Sequence, residues 1–144
     1  MSVLRCRELF LQGYNCAQAV AGGFAEEMGL SEEKAIAVAS CFGAGICATR
    51  NVCGAVTGGL MVLGAVAEKT SPDEKKAVYD LGKAFMDKFG EKFSTVTCKE
   101  LLTKAKAHFS DAPLARNEEY YRARPCLIFV EEVAKELEEI VKNR

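Results

Sequence analysis

Tryptophan is absent from this chain, aromatic residues make up 8% of it, and histidine occurs once, at His108. So few rings offer no stacking platform for nucleobases. With 19 basic residues against 20 acidic ones and a net charge of -1, there is no basic surplus to grip a phosphate backbone. Nucleic acid is therefore not an expected partner. A single histidine rules out a Cys2His2 zinc site within one chain, and any His-based triad would have to use that residue. No Cys-x-x-Cys occurs, which removes the chelating pair of zinc ribbons and the thioredoxin-type motif together. The longest uncharged stretch, Val52 to Ala67, falls short of the roughly 20 residues a membrane span needs and is rich in Gly and Ala. Arg5, Arg7 and Glu8 lie where a signal peptide needs its apolar core, so the expected location is the cytoplasm.

What remains describes a globular helical protein. A chain of 144 residues, 49% hydrophobic, has the size of one domain, 1–144, with a core that needs no covalent staples. Helical spacing recurs along it and no alternating strand pattern of useful length appears. Asn15-Cys16-Ala17-Gln18 resembles a capping box, with Val20, Phe24 and Met28 following and Gly29 as the stop. Ser31 caps a third helix that dissolves into Phe42-Gly43-Ala44-Gly45. Ser71-Pro72-Asp73-Glu74 opens another, with Val78, Leu81, Phe85 and Phe89 as its buried stripe and Gly90 as its end. Thr97-Cys98-Lys99-Glu100 is a further capping box, whose helix reaches Phe109. A turn at Asp111-Ala112-Pro113 follows, then a short helical turn at Asn117. The last helix runs from Pro125 to about Lys142. The expected fold is all-α, a single-domain bundle of six or seven helices.

Seven cysteines is the outlying number, and an odd count cannot pair fully in a monomer. In a reducing compartment it favours redox, metal or catalytic roles over structural disulfides. Cys16, Cys53, Cys98 and Cys126 each fall in the expected first turn of a different helix, at the head of its apolar stripe. Unpaired amides and the helix dipole lower a thiol pKa there, while apolar burial raises it. Around Cys53 the stretch Asn51-Val52-Cys53-Gly54 reads as a cap and first turn. Gly54 and Gly58 leave one edge of that helix bare for close approach by another backbone, and are the candidate cofactor-contacting positions. Cys6, Cys41 and Cys47 do not share this placement and read as core filler. His108 reads as a surface or capping residue. Arg50, Lys99, Arg122 and Arg124 lie near three of the thiols in sequence and are candidate thiolate stabilisers.

The motifs Gly13-Tyr14-Asn15-Cys16-Ala17-Gln18 and Cys53-Gly54-Ala55-Val56-Thr57-Gly58, with single cysteines at Cys98 and Cys126, resemble the C_GCAxxG_C_C family of small redox-associated proteins. The resemblance covers nearly the whole chain and implies Cys16, Cys53, Cys98 and Cys126 as the functional set. It also implies a redox or transport-associated protein as partner. Cys41 and Cys47 lie outside the family pattern. The leading expectation is a thiol–disulfide oxidoreductase needing no cofactor, with Cys53 as attacking thiolate because its cap and glycine neighbours leave its sulfur most approachable. A second reading is a binding module in which the same four cysteines hold zinc or an iron–sulfur cluster. A third is a helical adaptor or homo-oligomer whose Gly54/Gly58 edge meets a second copy.

Overall fold

In the computed structural model, which describes residues 2–107 and 115–143, the chain is built from helices. Among the described residues they are α1 (Ser2–Leu11), α2 (Cys16–Gly23), α3 (Glu32–Ala39), α4 (Gly54–Ala67), α5 (Lys75–Phe93), α6 (Cys98–Lys104), α7 (Glu118–Ala123) and α8 (Cys126–Lys142). Seven of these have seven residues or more, and α7 is a six-residue piece. This is the expected all-α bundle. Among the described residues no helix is long and apolar enough to cross a membrane. His108, Phe109, the Asp111–Pro113 turn and the side chain of Arg122 lie outside what is described.

The polar starts form as their chemistry dictates. Asn15 accepts from the Gln18 amide while the Gln18 side chain accepts from Asn15, a complete capping box. Ser31 accepts from the Lys34 amide, and Asn117 from that of Tyr120. Ser71 and Glu74 close their box around a 3-10 turn, Pro72–Glu74, that leads straight into α5.

Two expected caps do not form. Asn51 does not cap α4, for Cys53 is the cap residue and Asn51 turns its carbonyl to the amide of Cys98 at 2.6 Å. Nor does Thr97 cap α6 through its side chain. The first two amides of α6 are already satisfied, Cys98 by the Asn51 carbonyl and Lys99 by that of Arg50. Helix α5 also passes Gly90 and ends three residues later, because Phe89 and Phe93 both pack on Phe129 of α8, at ring separations of 5.7 and 4.8 Å. Leu81, placed in its buried stripe, is 42% exposed. Regular helix α2 stops at Gly23, and hydrogen-bonded turns carry the chain on to Gly29, whose positive φ ends the run.

Helix α4 is the axis, touching α2, α5 and α8, while α2 also packs on α1 and α3. The core between them holds Leu9, Phe10, Val20, Phe24, Val56, Val62, Val130 and Leu137. The glycine edge of α4 sets the spacing of the bundle. A Cβ on Gly58 would lie 2.9 Å from the Ala17 carbonyl oxygen, and one on Gly54 would lie 3.0 Å from the Ala17 nitrogen. Two glycines thus bring the start of α4 against the start of α2, and Cys53 toward Cys16. The edge expected to receive a second copy is filled from within the chain.

Candidate functional site

All four helix-start thiols open onto one cavity of about 390 Å3. Cys16, Cys98 and Cys126 are the first residues of α2, α6 and α8, and Cys53 caps α4. Four helices therefore converge with their amino ends on the same space. The joint between α4 and α6 is a two-residue antiparallel bridge, Val52 with Thr97. Across it the Cys53 amide donates to Val96 and the Cys98 amide to Asn51, which sets two thiols from distant segments side by side. The far wall is residues 43–50, represented in the cavity by Gly43, Ala44, Ala48 and Arg50. Ala44, Ile46, Cys47, Ala48 and Arg50 all have positive φ. Each such non-glycine costs roughly 1 kcal/mol or more. Hydrogen bonds from Arg50 to Ala44 and from Asn51 to Gly45 hold the wall in that shape.

Burial and charge divide the thiols. At Cys53, 4% exposed, burial dominates and pushes the pKa up to about 12. The amides of Ala55 and Val56 turn toward its sulfur and oppose this, but none reaches capping geometry. At Cys98 burial again raises the pKa, against a hydrogen bond from Arg50 Nη1 at 3.8 Å. Cys126 goes the other way and is held down to about 7, first by a hydrogen bond from the Cys16 thiol, then by the guanidiniums of Arg124 and Arg116. Cys16, the other partner in that interaction and shielded from solvent on its cavity side, is raised well above an ordinary thiol. Of the two, Cys16 is thus favoured to keep its proton and Cys126 to carry the charge.

The expectation that the Cys53 sulfur is the most approachable of the four does not hold. Cys53 is among the more enclosed of the four, whereas Cys16 and Cys126 are only half-buried. It caps α4 beside Gly54, where the start of α4 packs closely against Cys16 and Ala17 at the start of α2. Gly54 lines the cavity, but Gly58 does not and serves the contact with α2. Of the remaining thiols, Cys6 is core filler as expected, donating to the Val20 carbonyl at 3.8 Å. Cys41 and Cys47 are exposed, with the Cys47 thiol on the Cys41 carbonyl at 3.3 Å, so the filler reading fails for them.

Of the candidate cations, Arg50 and Arg124 reach the thiols, and Lys99 points to solvent. Arg116 was missed. It lies ten residues before Cys126, in a segment read only as polar and turn-rich. Its guanidinium donates to the carbonyls of Phe10 and Tyr14 at 3.2 and 3.0 Å and stacks between Phe10 and Tyr120. Among the described residues, no three Cys, His, Asp or Glu side chains are grouped as ligands of one metal ion. The four sulfurs share a cavity without sharing that geometry.

The family model described as "Putative redox-active protein (C_GCAxxG_C_C)" matches residues 14–140. No curated protein and no solved structure matches the chain.

Proposed function

The chain belongs to the C_GCAxxG_C_C family, and on that premise we propose that it is a thiol–disulfide redox protein in which Cys126 attacks and Cys16 resolves. The observation that carries this reading is that Cys16 and Cys126 line one cavity together with Arg116 and Arg124, where their coupling favours a proton on Cys16 and a charge on Cys126. The Cys126 thiolate attacks one sulfur of a substrate disulfide, forming a mixed disulfide and expelling a thiolate that takes up a proton. Cys16 then loses its proton and attacks the Cys126 sulfur, releasing the second half of the substrate. Two electrons pass from the pair to the substrate, one proton comes from Cys16 and one from solvent, the substrate leaves as two thiols, and Cys16 and Cys126 end joined. Cys53 and Cys98, protonated and enclosed, complete the wall and form the reserve pair.

The test is intact mass after alkylation, with and without reductant, on protein exposed to a small disulfide, with metal content measured on the same anaerobic preparation. The expected result is two thiols lost to alkylation and a linked peptide pair containing Cys16 and Cys126. A Cys126→Ser variant should no longer form it. If all four thiols still alkylate after that exposure, or the linked pair forms unchanged between other cysteines in Cys126→Ser, the reading is wrong.

A further inference from the structure

The wall of the thiol cavity has an uneven charge. Among the described residues its ionisable groups are the four thiols, Tyr120 and three guanidiniums, those of Arg50, Arg116 and Arg124. Among the described residues no carboxylate and no lysine lines it. Arg116 is the most informative of the three. Its contacts are with neutral groups, the carbonyls of Phe10 and Tyr14 and the rings of Phe10, Tyr120 and Tyr121. A guanidinium fixed in this way is preorganised and keeps its full charge toward the cavity. Opposite it, Leu101, Leu102 and Phe129 give an apolar floor.

We propose that the substrate of this dithiol is a small disulfide that carries a carboxylate or comparable anionic arm close to its sulfur–sulfur bond. The proposal rests on the thiol–disulfide reading and adds the charge of what enters. The anionic arm pairs with Arg116 and Arg124 while the apolar part of the chain lies on Leu101, Leu102 and Phe129. This places the bond to be broken over Cys126. Two electrons pass from the dithiol, Cys16 and Cys126 become the new disulfide, and the substrate leaves as two thiols. A guanidinium beside each leaving sulfur also stabilises the thiolate as it departs, before it takes up its proton.

The experiment uses the full-length reduced protein and three disulfides of similar size: dithiodipropionate, which is anionic, hydroxyethyl disulfide, which is neutral, and cystamine, which is cationic. Second-order rate constants of oxidation are measured at pH 7 in low salt. Each is divided by the rate constant of the same disulfide with mercaptoethanol, so that intrinsic reactivity cancels. The anionic compound should exceed the cationic one by on the order of ten-fold. The excess should shrink toward unity in concentrated salt. In Arg116→Gln the same ratio should fall, whatever happens to the absolute rates through Cys126. Because Arg116 also ties down the Phe10 and Tyr14 carbonyls, Arg124→Gln serves as a second variant, and the salt series on the unaltered protein needs no variant at all. A ratio at or below one, or a ratio that ignores salt, overturns the anionic substrate while leaving the redox reading intact. If none of the three disulfides oxidises the protein, both fall together.

Discussion

The lowered pKa of Cys126 can be tested through its reaction rate, and the arithmetic shows where to look. A thiol with a pKa of about 7 is about half ionised at pH 7, against about 3% for an ordinary thiol at about 8.5. That is a roughly sixteen-fold gain in thiolate. A drop of about 1.5 in pKa also weakens the nucleophile by roughly five-fold, for a Brønsted slope near 0.45. The net advantage at pH 7 is about three-fold, too small for a single rate to be diagnostic. The pH profile is not so blunted. With reductant present, iodoacetamide labelling followed by peptide mass spectrometry should give a Cys126 curve inflecting near pH 7. In Cys16→Ala the largest cause of the lowering is gone, and the inflection should move up toward the ordinary thiol range while Arg124 and Arg116 stay in place. A Cys126 inflection at or above about 8.5 in the unaltered protein, or one that Cys16→Ala does not move, would refute the hydrogen-bonded pair.

Gly58→Ala should destabilise the protein by about 1–3 kcal/mol in urea titration, because the new methyl meets the Ala17 backbone at 2.9 Å and backbone cannot step aside. Gly64→Ala, on the same helix with nothing within 4 Å, should stabilise it by about 0.5–1 kcal/mol; a matching sign for the two would show that helix propensity alone governs α4. In limited alkylation of the reduced protein, Cys41 and Cys47 should label first and Cys6 only on unfolding, and early labelling of Cys6 would contradict its burial. Burial also raises Cys6 to about 12, so the fold keeps a proton there that the unfolded chain loses above about pH 8.5. The stabilisation is complete below that value and drains as pH rises through 12, by roughly 1.4 kcal/mol per pH unit. The urea midpoint should therefore drop between pH 8 and 10, and drop less in Cys6→Ala; parallel drops would remove Cys6 as the cause.

The local signals of the sequence carried most of the helix starts. Asn15, Ser31, Ser71 and Asn117 all cap as their side chains suggest. Four cysteines placed at four helix starts do line one cavity. What escaped was long-range. The bridge between Val52 and Thr97 is too short to leave an alternating pattern, yet it determines that Cys53 neighbours Cys98 and makes the Asn51 and Thr97 caps unnecessary. Gly90 looked like a stop because a glycine often is one. The pull of Phe93 toward Phe129, 36 residues on in a partner helix, overrides it. Arg116 reaches back a hundred residues to Phe10 and Tyr14, a contact no local pattern announces.

In the proposed cycle the same long-range placement gives the four thiols an order of reaction. The negative charge on Cys126 is among the causes that hold Cys53 and Cys98 protonated. While Cys126 is a thiolate, the other two are poor nucleophiles, so one sulfur reacts first. In the proposed cycle that charge vanishes once Cys126 is joined to Cys16. Arg50 still faces Cys98 at 3.8 Å, and Arg124, which also favours its thiolate, remains beside it. Both cations then act on Cys98 without the opposing charge, and its pKa moves down. In that cycle oxidation of the first pair activates the second, whose two members flank the Val52–Thr97 bridge. A thiol buried against a cation and held back by a neighbouring thiolate is suited to return electrons to the first pair, and unsuited to compete with it for substrate.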